Sequence, residues 1–153
     1  MVLVHDGVAA RLAGFVAEFT PDTQELIWAC RAGLQERFPG AWQLVWDNYN
    51  FLVVGFSPTE RPSDAPISLA CGRRGVLLCF VKDAPSLPDP EGLLRGTGRV
   101  ARNVALTSPA DLDRPAVRAL VDAAALRGPV PLAEAEDGEL VVRSVSAKRR
   151  PRR

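Results

Sequence analysis

Apolar positions recur at helical spacing near the start of the chain. Val8, Leu12, Phe15, Val16 and Phe19 form one stripe, weakened by Gly14, which predicts a helix over 8–19 after a loose leader at 1–7. Thr20 then suits an N-cap, with Pro21 at the first helical position and Asp22 in the first turn, where negative charge meets the helix dipole. Leu26, Ile27, Cys30, Leu34 and Phe38 continue at helical spacing, and Pro39-Gly40 ends the run.

The period changes after Gly40. Trp42, Leu44 and Trp46 alternate, so 42–46 reads as a strand, followed by a β-rich run over 51–56. Three prolines make 57–66 a loop. Strands are expected at 67–71 and 76–81, joined by a hairpin tip at Gly72-Arg73-Arg74-Gly75. Residues 83–92, with Pro85, Pro88 and Pro90, are irregular, 99–106 is a further strand and 108–114 a turn. A helix follows over 115–127, with Val117, Leu120, Val121 and Ala124 on one face and Gly128-Pro129 closing it. Residues 139–145 can add a late edge strand. Helices, then hairpins, then a helix give an α+β domain, an antiparallel sheet packed against N-terminal and C-terminal helices. No alternating βαβ units are present to build a doubly wound sheet. The expected organisation is a flexible leader at 1–7, one domain at 8–128, an extension at 129–147 and a basic disordered tail at 148–153.

A hydrophobic share of 47% of 153 residues supplies a packed core and excludes a wholly disordered chain. No apolar run approaches the ~18 residues of a bilayer span, so no membrane partner is expected. The net charge of +1 hides an asymmetry. Lys148, Arg149, Arg150, Arg152 and Arg153 close the chain, and residues 1–147 carry 14 − 18 = −4. Such a tail is either a solvated terminus or a means of holding nucleic acid or an anionic membrane surface by screened attraction. Three cysteines, Cys30, Cys71 and Cys79, without a signal-peptide pattern point to a reducing, cytoplasmic compartment. A two-residue loop at Arg73-Arg74 pairs Cys71 with Val76 and turns Cys79 to the opposite face; a three-residue loop brings the two thiols to the same face. Neither opposes them directly, so buried free thiols are expected.

Catalytic chemistry has little to work with. The single histidine, His5, lies in the leader, and there is no G-x-S-x-G elbow, so no catalytic residue is assigned. No CxxC pair exists, and Glu18, Asp22, Glu25 and Glu36 are too dispersed along the first helices to share an ion, so no metal or cofactor is assigned. Gly96-Thr97-Gly98 lacks the G-K-[ST] end of a P-loop and leads into a strand; it reads as a glycine turn, although Arg95, Arg99 and Arg102 cluster around it. Asp47, Asn48, Tyr49 and Asn50 stand between two apolar runs. They are either turn residues or the lining of a pocket between sheet and helices, since polar groups there need partners. Combined with Arg95, Arg99 and Arg102, they are the candidate site for a small polar or anionic ligand. The chain reads as a non-enzymatic domain. Asp47 acting as a general base keeps an enzyme open, without a partner acid to go with it.

The stretches Val45-Trp46-Asp47-Asn48-Tyr49-Asn50, Gly55-Phe56-Ser57-Pro58-Thr59-Glu60-Arg61-Pro62-Ser63 and Leu87-Pro88-Asp89-Pro90-Glu91-Gly92-Leu93-Leu94-Arg95-Gly96-Thr97-Gly98-Arg99 carry a family likeness, with Ser108–Asp113 entering the last helix. Over roughly 19–128 the chain resembles the YdhG-like family, domain-of-unknown-function family 1801. The resemblance implies a small α+β fold. It also implies, through members described as frataxin-like iron chaperones, an iron-delivery adaptor as an alternative function. Tyr49-Asn50 departs from the family's tyrosine-glycine pattern, and no metal ligand carries over.

Overall fold

The computed structural model describes the backbone of residues 2–153 and side chains from Gly7 onward; Met1 and the side chain of His5 lie outside the described residues. Helix α1 is Val2–Val16, so it begins within the stretch expected to be a leader. Helix α2 is Pro21–Arg37. Its start follows the capping signal: the Thr20 hydroxyl accepts from the Thr23 N–H, and Pro21 opens the helix. The chain then runs through β1 (Trp42–Asp47), β2 (Leu52–Ser57), β3 (Ile67–Gly72), β4 (Gly75–Phe80), β5 (Arg102–Leu106), α3 (Pro115–Ala125) and β6 (Leu140–Val145). Short 3-10 turns at Pro62–Asp64, Ala84–Ser86, Pro109–Asp113 and Leu132–Glu134 fill the proline-rich connections.

The result is an α+β fold with one six-stranded sheet in the order β5-β4-β3-β2-β1-β6. Neighbours are antiparallel except β1 and β6, which run parallel. The late edge strand is thus part of the sheet, and the folded unit extends beyond the 8–128 boundary that the sequence suggests. The register places Val45, Val54, Leu69, Leu78 and Val104 in one row across five strands. All five are buried with Leu12, Val16, Ile27, Leu34, Val117 and Leu120 of the three helices in one core. Trp42, Leu44 and Trp46 lie on the opposite face. There the Trp46 ring covers Gly55, where an added Cβ would meet ring carbon at 3.1 Å.

The β3–β4 hairpin takes the two-residue loop. Cys71 pairs with Val76 and Gly72 with Gly75, leaving Arg73-Arg74 at the tip, and Gly75 adopts a φ of +129° that side-chain-bearing residues rarely reach. Cys71 therefore faces the core and Cys79 the other side. All three thiols are free; Cys30 and Cys71 are buried and Cys79 half-buried. No helix among the described residues is long and apolar enough to cross a membrane.

Candidate functional site

Asp47 is the last residue of β1, paired with Leu52 on one side and Val145 on the other. The alternation that points Val45 into the core points Asp47 there too, and its side chain is 1% exposed. A buried carboxylate must be neutralised or fully hydrogen-bonded. The chain's own end does both. Arg152 Nη2 donates to Asp47 Oδ1 at 2.7 Å and to the Asn48 carbonyl at 2.7 Å, and Arg149 Nη1 donates to Asp47 Oδ2. The Arg152 side chain is itself 1% exposed, with its guanidinium over the Phe19 ring at 5.9 Å. Arg149 also reaches Glu18 at 2.8 Å, and these two carboxylates raise its pKa above the ordinary guanidinium range. Arg153 donates to the carbonyls of Glu18 and Ala17, just past the end of α1, where backbone acceptors lack helical partners.

The tail is therefore docked, not a disordered, solvated brush. Of its five cations Arg152 is buried, and Arg149 and Arg153 are engaged by acceptors of the domain while keeping an exposed part. The reason is Asp47: a carboxylate on a core-facing register position makes burial of an arginine favourable. Lys148 and Arg150 stay exposed. Arg150 is fixed by its backbone N–H to the Tyr49 carbonyl at 2.7 Å, and its guanidinium lies 5.6 Å from the Tyr49 ring centre.

The two halves of the sequence-predicted site do not meet. Asp47 lies in the row Asp47, Leu52, Cys71, Val76, Leu106, whereas Arg102 lies in the row Phe56, Ile67, Phe80, Arg102. β5 is four strands from β1, about 19 Å at the usual interstrand spacing. Arg102 folds onto the carbonyls of Gly98 and Ala101, and Arg95 and Arg99 are exposed. Gly96, at φ +115°, forms the turn that the glycines predict, with Arg95 bridged to Asn103. Asn48, Tyr49 and Asn50 make up the β1–β2 tip, closed by the Asn48 N–H to the Phe51 carbonyl at 2.8 Å. Asn48, Tyr49 and Asn50 are exposed at the turn, and Asp47 alone of the four goes inward.

At this end of the sheet the two hairpin tips and the tail enclose a groove of about 820 Å³. Asn50, Phe51, Arg73, Arg74, Thr107 and Arg150 are among its lining residues, and among the described residues no acidic side chain lines it. Phe51 is 37% exposed and covers Gly72, whose missing Cβ leaves room for the ring at 2.9 Å. Arg73, Arg74 and Arg150 are exposed, and among the described residues none takes part in an ion pair. Asp111 approaches Thr107 from outside the groove. Its carboxylate accepts from the Thr107 and Ser108 N–H groups, which hold its pKa below the usual carboxylate range.

No family model, curated protein or solved structure matches this chain. Arg73 and Arg74 read in sequence as a hairpin tip and nothing more, because their proximity to Arg150 depends on the docked tail. No group of three or more His, Cys, Asp or Glu side chains among the described residues is placed to hold a metal ion.

Proposed function

We propose that this is a non-catalytic binding domain for a phosphate-bearing ligand with a planar ring, a nucleotide or a short single strand of nucleic acid. The groove between the hairpin tips is its site. The observation that carries the reading is the grouping of Arg73, Arg74 and Arg150 with the exposed Phe51 in one acid-free groove. Its volume falls within the ~300–1,000 Å³ range of small-molecule sites. Arginine forks match phosphate oxygens, and an exposed aromatic or guanidinium plane accepts a stacked base. The small anionic ligand expected from sequence is thus kept, but its cations are Arg73, Arg74 and Arg150 in place of Arg95, Arg99 and Arg102. A cytoplasmic setting belongs to the same proposal, supported by three free thiols. Iron delivery, implied by the YdhG-like resemblance, finds no group of three or more candidate ligands among the described residues.

Fluorescence anisotropy with a labelled octathymidylate, beside calorimetry with adenosine monophosphate, tests the proposal and separates its two ligand sources. Neutralising about three phosphates gives a slope of log K against log salt near −2 for a single strand. Arg73→Ala/Arg74→Ala should lower affinity at least tenfold, and Phe51→Ala should cost about 1–3 kcal/mol, roughly the value of one stacked base. Absence of binding to both probes overturns the proposal, as does binding that survives loss of Arg73 and Arg74.

A further inference from the structure

We propose that the Asp47 pocket is a receptor for an arginine side chain presented by a basic peptide, and that residues 148–153 of this chain occupy it in cis. The inference does not depend on the groove having a ligand.

The pocket has the parts that a guanidinium needs. Its carboxylate cannot leave, because β1 is held between β2 and β6 at Asp47. The Asn48 carbonyl provides a second acceptor in reach of the same Nη2, and the Phe19 ring provides a face under a planar cation. One nitrogen, Nη2, meets both acceptors, so the preference rests on the ring: a lysine ammonium has no planar face to lay over Phe19 and is more strongly hydrated, so it loses more on burial. The pocket therefore selects arginine over lysine.

The tail occupies the pocket as a peptide ligand would. Residues 146–153 carry no regular secondary structure. Beyond β6 the tail backbone is tied by Ser146 N–H to the Asp47 carbonyl and Arg150 N–H to the Tyr49 carbonyl, and the remaining contacts are made by arginine side chains. Its fit is incomplete: Nε and Nη1 of Arg152 are buried without an acceptor. A buried donor without an acceptor counts against the bound state. The cis occupant thus relies on its tether, and a peptide in trans that meets these donors with an acceptor of its own can compete with it.

The test uses the full chain and a fluorescein-labelled hexapeptide with the sequence of residues 148–153. In the full-length Arg149→Ala/Arg152→Ala variant the pocket is vacated and the peptide should bind. Wild type should bind it roughly 10–100-fold more weakly, since a tethered tail has an effective concentration near 1 mM. Adding Asp47→Asn to the vacated variant should remove binding. A peptide with lysine in place of the arginine equivalent to Arg152 should lose at least tenfold. Full-length Arg152→Lys keeps a cation in the pocket and serves as a second receptor if the double variant does not fold; its affinity should lie between the other two. Equal binding to wild type and both variants overturns the proposal, as does binding that survives Asp47→Asn.

Discussion

Removing the cations around Asp47 should destabilise the fold, and removing Asp47 as well should restore it. In Arg149→Ala/Arg152→Ala the carboxylate loses both partners while remaining on a core-facing position of β1, 1% exposed. Breaking a buried ion pair from one side costs about 3–5 kcal/mol. Two terms reduce this here. Two unsatisfied donors of Arg152 disappear with the side chain, and water can enter the space it leaves. The expected loss is therefore about 2–4 kcal/mol by urea unfolding at pH 7. A domain of this length shifts by roughly 2–4 °C per kcal/mol, so its melting temperature should fall by roughly 5–15 °C. Asp47→Leu in the full chain behaves differently. Arg149 and Arg152 sit on a segment without regular secondary structure and can turn into water, so no charge is stranded and the cost should stay below about 2 kcal/mol. In the Leu background the arginine substitutions should cost under about 1 kcal/mol, giving a coupling of at least about 1–2 kcal/mol. Additivity of the three substitutions within about 0.5 kcal/mol would refute the reasoning, because it would mean that the tail and Asp47 do not share an interaction.

Three further outcomes follow from the same geometry. Asp111 has a folded pKa depressed by the Thr107 and Ser108 N–H groups, so its contribution is present above about pH 4, its ordinary value, and is lost as pH falls through the lowered folded value; Asp111→Asn should reduce stability at pH 7 and have little effect near pH 2, measured by urea melts at both. Burial pushes the Cys30 thiol up to about 11 and Cys71 higher still, so a disulfide-exchange reagent at pH 8 should label native Cys79 first and reach Cys30 and Cys71 at the rate of unfolding, read by mass spectrometry. Gly75→Ala meets no steric obstacle but must adopt φ +129°, so it should cost about 1–3 kcal/mol and misplace Arg73-Arg74, weakening oligonucleotide binding in the anisotropy assay.

Local patterns carried most of the fold. The Thr20-Pro21 start of α2, the alternation of β1 and the glycines flanking Arg73-Arg74 act over a few residues, and each element forms where its own pattern places it. The length of α1 was not legible, because residues 2–7 lack a clear apolar stripe. Nor was the parallel pairing of β6 with β1, which joins segments about a hundred residues apart. The site divided in the same way. Asp47 stands out as a polar residue between apolar runs, and its inward direction follows from the period of two that puts Val45 in the core. What fills its pocket comes from the far end of the chain, where five closely spaced cations look alike in composition. Arg152 is buried against Asp47 and the Asn48 carbonyl, whereas Arg150 stays exposed beside the Tyr49 ring, a difference set by the docking and not by composition. Only shared chemistry links Arg95, Arg99 and Arg102 to Asp47 in the sequence. Strand order, which sequence does not give, separates them by four strands.

Trypsin resistance of the tail tests the docking of residues 148–153 against Asp47 most directly. The tail is dense in lysine and arginine, and a free terminus of that composition is cut at once. Intact mass followed over time under dilute trypsin should show the wild-type tail persisting, and the Asp47→Asn tail lost at least tenfold faster from an otherwise undigested domain. Equal rates of loss from the two proteins would contradict the account.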